Sequence, residues 1–240
     1  MRLTPAVAAL AAAMFAPAPA CADDLLQWHS ENVQLLHGSN YELGDVDRTI
    51  VTLEHANSWA YGDTFAFVDL TFVDDNSLYG ELSPRLSLSR ISGQDLSWGP
   101  IKDVLIAGTY EFGDEGYEAY LIGGAVDLNV PGFTFLGLHA YHRDDPNLPG
   151  STWQATITWH RPFEIGGQRF VIEGFADLAG EEGPSAENQL IVPQLLWQVP
   201  WNGEPSPLYI GIEHQYWNNK FGIEGVEESV TQLELKWVLH

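Results

Sequence analysis

The sequence predicts an all-β protein, a closed antiparallel transmembrane β-barrel of about twelve strands, on three observations. Beyond its first residues the chain is cut into segments of about ten residues by Gly, Pro, Asn and Asp clusters. Most segments alternate apolar and polar side chains with period two, and Trp and Tyr gather at segment ends. No helix-length apolar run follows the amino-terminal stretch, so entry into a membrane requires strands. In hydrocarbon only a closed ring of strands leaves no backbone polar group unpaired. A soluble sandwich also alternates, but it holds its aromatics inside and turns its polar faces to water.

The elements follow in order. Arg2 precedes an apolar stretch from Val7 to Phe15 that ends in Ala20-Cys21-Ala22, the pattern of a secretory signal peptide over residues 1–22 ahead of a barrel over 23–240. Cys21, the sole cysteine, leaves with that leader, which closes off disulfide and thiol chemistry. Acylation of Cys21 is disfavoured, because Ala18-Pro19-Ala20 lacks the usual upstream Leu. Strands are expected near 27–37, 48–57, 64–73, 78–89, 103–112, 116–128, 133–143, 153–160, 169–178, 188–199, 208–217 and 232–240. The last is the cleanest: Leu233, Leu235, Trp237 and Leu239 share one face, and Gln232, Glu234, Lys236 and His240 the other. Trp153 and Trp159 stand at opposite ends of one apolar face, where interfacial aromatic girdles belong. Between 78 and 89 the side of Tyr79, Glu81, Ser83, Arg85, Ser87 and Ser89 is too polar for a dry core.

Charge narrows the function. With 33 acidic against 10 basic residues, a net charge of −23, nucleic-acid binding is excluded and phosphorylated solutes are repelled. Acidic loops such as Gly180–Glu187 read first as solvated surface, and otherwise as sites for divalent cations that bridge lipopolysaccharide.

The stretch YGELSPRLSLSRISGQDLSWGPIKDVLIAGTY from Tyr79 to Tyr110 resembles the signature region of the Tsx-type nucleoside-specific outer-membrane channels, notably in Glu81, Pro84-Arg85, Ser87 and DLSWGP at Asp95–Pro100. LEHANSWAYGDTFAFVDL from Leu53 to Leu70 is similar to that family's second and third strands, and IEHQYWNNKFG from Ile212 to Gly222 to the penultimate strand of its OmpK-like branch. The resemblance implies a monomeric twelve-stranded barrel in the outer membrane of a Gram-negative bacterium, both termini periplasmic, with a narrow bore that holds nucleosides weakly. The chain ends in His240 where such barrels end in an aromatic residue, so Trp237 would mark the last strand.

A nucleoside offers a flat base and a hydroxylated ribose, so a selective bore needs rings for stacking and carboxylates, amides or guanidinium groups for the sugar. Phe65, Phe67 and Asp69 share one parity; they line the bore, or else the two rings face lipid with Asp69 at the membrane edge. Phe135, His139, Tyr141 and Arg143 share a face, and Glu173, Phe175, Glu213 and Gln215 complete the set with Tyr79, Glu81, Arg85 and Ser87. Glu81 and Arg85 stand about 13 Å apart on one strand, so they pair with other strands, where Arg169, Glu173, Glu213 and Lys236 are available. Those pairs brace the barrel, or serve the ribose, or both. His139 has no partner at ligand spacing and reads as a hydrogen-bonded lumen residue rather than a metal ligand; no cofactor or catalytic residue is expected either. Two other functions compete: a plugged barrel acting as a phage or ligand receptor or structural protein, and a lipid hydrolase on the outer face. The second is disfavoured because the serines at 83, 87 and 89 point inward and His142 is the one histidine placed clearly outward.

Overall fold

The computed structural model describes residues 25–239 except 203; the expected leader and His240 lie outside the described residues. Twelve strands run Leu26–Ser39 (β1), Asp47–Trp59 (β2), Gly62–Phe72 (β3), Ser77–Ser87 (β4), Ile101–Gly113 (β5), Glu118–Leu128 (β6), Phe135–Asp144 (β7), Thr152–Ile165 (β8), Gln168–Ala179 (β9), Asn188–Trp201 (β10), Glu204–Asn218 (β11) and Glu227–Val238 (β12). Each pairs antiparallel with its sequence neighbours, and β1 meets β12 over Asn32–Val238 to Gly38–Gln232, closing the ring. Both described termini therefore sit at one end. The β8–β9 turn at that end is tight: Gly166 and Gly167, with φ of 60° and 77°, form a two-residue turn, a backbone that residues with a Cβ resist.

Polarity is inside out. On β12 Leu233 is 69% exposed while its neighbour Glu234 is 2% exposed, and Leu235 and Trp237 are likewise exposed beside buried Gln232 and Lys236. Apolar side chains on the outside and carboxylates, amides and amines within are what a barrel bathed in hydrocarbon requires.

The expected strand over 78–89 ends two residues early. Ser87, the last residue of the ladder and paired with Leu105, is also the N-cap of a short helix, Leu88–Ser92 (α1), its hydroxyl accepting from the Arg90 N–H, and Gly93 closes the helix at φ 67°. Leu88 and Ser89 are thus helical, since capping chemistry outweighs two more residues of alternation. Arg90 pins the helix by donating to the carbonyls of Trp59 and Gly62. Phe133 likewise lies in a turn before β7.

Gly123, on β6 opposite Tyr141, marks a tight approach of strands: a Cβ there would lie 1.9 Å from the Ala140 carbonyl oxygen. Gly123→Ala is expected to cost about 1–3 kcal/mol through forced backbone displacement, read as earlier loss of the compact, heat-resistant form on electrophoresis. Full retention of that form would contradict the close approach.

Candidate functional site

Register places every candidate residue in the bore. Asp63, Phe65, Phe67 and Asp69 of β3 face Arg85, Ser83, Glu81 and Tyr79 of β4. Phe135, His139, Tyr141 and Arg143 share the inner parity of β7, opposite His160, Thr156, Gln154 and Thr152. Glu173 and Phe175 of β9 continue it, as do Glu213 and Gln215 of β11. The open question at Phe65 and Phe67 is thereby decided for the bore. Phe65 is 38% exposed although it points inward, so free space lies in front of it.

One wall carries a strip of rings. Phe65 and Phe67 have centroids 6.0 Å apart, Phe67 and Tyr79 5.8 Å, and Tyr79 and Tyr117 6.2 Å, all within the range of aromatic contact. Tyr117 belongs to the β5–β6 turn at the end away from the termini, so the strip descends from that mouth into the barrel. Its rings are held from behind. The Tyr79 hydroxyl donates to Glu81 Oε1 at 2.7 Å, and Tyr117 donates to Glu111 while accepting from Arg143 Nη2 at 2.7 Å.

Charges brace the same side. Arg85 grips Asp63 with two parallel bonds of 2.7 and 2.9 Å, and reaches across β5 to Asp127 on β6 at 2.8 Å. The small Ala107 opposite Arg85 leaves room for that reach. Arg143 binds both oxygens of Glu111 and the side-chain oxygen of Gln154. Ser87 donates to Asp103, and His139 Nδ1 meets the Tyr141 hydroxyl at 2.9 Å. The expected partners of Glu81 and Arg85 are thus corrected. Arg169, Glu173, Glu213 and Lys236 lie on β9, β11 and β12, across the bore, and bond elsewhere: Arg169 pairs with Glu164 and Lys236 with Glu173.

The opposite wall is a polar chain. Tyr41 donates to Gln232, Gln232 and Gln194 both donate to Glu213, Gln194 also reaches Gln34, Gln34 donates to Asn32, and Asn32 to Glu54. Lys236 closes it, bonding Glu173 at 2.6 Å and Glu54 at 3.5 Å. Gln215 donates to Glu228, which also takes Lys220, a loop amine that sits over the rings of Tyr41, Trp217 and Phe221. Burial lowers the Lys220 pKa, with the Glu228 carboxylate opposing. At the terminal end a cavity of about 400 Å³ opens among His160, Arg169, Gln198 and Tyr209, within the size range of small-molecule sites.

Asp63, Asp127, Glu111, Tyr117 and Tyr41 carry much of this geometry, yet sequence reasoning did not select them. Asp127 follows Ala119, Leu121, Gly123 and Ala125 on the inner parity of β6, a face with no polar signature. Tyr41 lies in a turn, where alternation gives no direction, and Tyr117 lies just before β6, which starts two residues later than the strand expected over 116–128; parity with Phe65 was the one signal available for Asp63. The outer face also corrects an expectation, for His142 is joined there by His29, His37, His55 and His214. His55 meets Glu31 through Nδ1 and the Asn57 amide through Nε2, whereas His37 Nδ1 meets the Thr49 hydroxyl at 3.1 Å and His214 Nδ1 the Thr231 hydroxyl at 2.9 Å.

Among known proteins, residues 24–234 match the family model described as nucleoside-specific channel-forming protein, Tsx. Outer membrane protein OmpK of Vibrio parahaemolyticus is 30% identical over 88 residues, 36% of this chain and 34% of that protein. OmpK of V. parahaemolyticus serotype O3:K6 (strain RIMD 2210633) is 26% identical over 99 residues, 38% of this chain and 37% of that protein. The chain thus spans about a third of the length of the curated relatives it matches. Among solved structures, the KdgM porin superposes with a TM-score of 0.53 at 9% identity, covering 87% of this chain and 99% of that one. The NanC porin does so with 0.53 at 11%, covering 86% and 98%. At such identities the likeness is one of fold.

Proposed function

The chain belongs to the Tsx family of nucleoside-specific channel-forming proteins, and from that membership we propose that this outer-membrane barrel is a passive uptake channel for nucleosides and similar small aromatic solutes. The observation that carries the proposal is the strip Tyr117, Tyr79, Phe67, Phe65, whose rings follow one another at near 6 Å from the mouth inward. A base leaving one ring meets the next before losing the first. Such a series of weak stations lets cargo enter and leave, where one tight site would trap it. The ribose hydroxyls travel past acceptors alongside: Glu81 beside Phe67 and Asp69 beside Tyr79, each carboxylate already oriented by one bond, from Tyr79 and from Thr52. Arg85 and Arg143 act as braces, since carboxylates engage their guanidinium groups. With the termini periplasmic, the cavity at His160 and Tyr209 is the exit vestibule.

Proteoliposome swelling tests this. Adenosine and uridine should enter faster than sugars of similar size; equal rates would defeat the selectivity. A plugged receptor barrel is the second reading, favoured by the ties that cross between non-adjacent strands, Gln194 to Gln34 and Lys236 to Glu54 and Glu173. Absence of both swelling and single-channel current from a folded barrel would select it.

A further inference from the structure

The polar wall contains a carboxylate that its neighbours do not satisfy. Glu234 is 2% exposed, and neither of its oxygens has a hydrogen-bond partner among the described residues. Register explains why. The residues directly opposite are Leu36 on β1 and Gly211 on β11, which bring no polar side chain. The nearby donors are committed: Gln232 and Gln194 to Glu213, Gln34 to Asn32, and Lys236 to Glu173 and Glu54. A buried carboxylate that no donor engages is costly. Protonation would remove the charge, and a bound cation would balance it while leaving the group a carboxylate; the two outcomes are separated below.

We propose that Glu234 seats a singly charged cation, an alkali or small ammonium ion, and that this wall makes the bore favour cations over anions. The rest of the bore supports that sign. Arg85, Arg143 and Lys236 are each neutralised by carboxylates, whereas Asp69, Asp177 and Glu213 hold only hydroxyl or amide partners. Among the described residues no group of three His, Cys, Asp or Glu side chains converges as a metal site would. That rules against a chelated divalent ion and suits a monovalent one held weakly enough to leave. The two walls then divide the work, rings on β3–β4 for neutral cargo and carboxylates on β11–β12 for cations.

The proposal needs no nucleoside selectivity, so the two stand or fall separately. Equilibrium dialysis of the detergent-purified barrel against rubidium should show binding that Glu234→Gln abolishes. In a planar bilayer under a potassium chloride gradient, the reversal potential should have the cation sign and move toward zero in that variant, with nucleoside block retained. Leu36→Gln, which offers Glu234 an internal amide while leaving the carboxylate in place, should weaken rubidium binding as well, and it decides the matter should Glu234→Gln not fold. Rubidium binding untouched by either variant overturns the proposal. So does a carboxylic-acid infrared band at neutral pH that disappears in Glu234→Gln, since it would show the group already protonated. Loss of nucleoside block from the unmodified barrel, with rubidium binding intact, would sink the nucleoside reading and leave this one standing.

Discussion

Phe67→Ala is expected to weaken nucleoside block of single-channel current by roughly 5- to 150-fold, the equivalent of about 1–3 kcal/mol for a lost base–aromatic stack. Phe67 is the middle of the strip. Its ring touches Phe65 on one side and Tyr79 on the other, and removing it opens a gap too wide for a base to bridge while stacked at both ends. Basal conductance should rise, because the same ring narrows the bore. The barrel should still fold, since Phe67 points into the lumen and takes no part in the apolar outer face. Adenosine block equal to that of the unmodified channel would remove the strip from the transport path.

Arg143→Ala is expected to act on the barrel itself. Its side chain is 14% exposed and that of Glu111 6%, and the guanidinium also holds Gln154 and the Tyr117 hydroxyl. Truncation strands a buried carboxylate and frees the ring at the mouth, at a cost of about 3–5 kcal/mol for breaking a buried pair from one side. The readout is the temperature at which the folded form is lost on electrophoresis. Arg143→Met combined with Glu111→Gln removes both charges together and should recover most of that loss, because the penalty comes from the unmatched partner. Equal destabilisation by the single and double changes would mean that Arg143 contributes through packing instead.

How far the sequence could be read depended on whether a side chain's direction is set by parity alone. Gln232, Glu234 and Lys236 alternate with Leu233, Leu235 and Trp237 without interruption, and the fold places them as that alternation requires. Pairing partners were not legible in the same way. Parity states which face Arg85 occupies, but the register between distant segments decides that Asp63 stands opposite and that Ala107 leaves the gap through which Asp127 is reached. Where inner residues are small and apolar, as on β6, lipid and lumen faces look alike and Asp127 passes unnoticed. The capping serine at 87 shows the converse, for one hydroxyl redirected a segment whose alternation continued.

The place where the ring closes has a consequence for assembly. Phe65, Phe67 and Tyr79 belong to the β3–β4 hairpin and Tyr117 to the turn of the next one, so the aromatic strip needs little more than local chain folding to take shape. The amide chain joins β1 and β2 to β10, β11 and β12, and exists only after the two ends of the sequence have met along the β1–β12 seam. Segments distant in sequence form their contacts late. An intermediate stalled before the seam zips would therefore already display a surface for cargo, while lacking the polar cross-ties that fix the calibre of the finished pore.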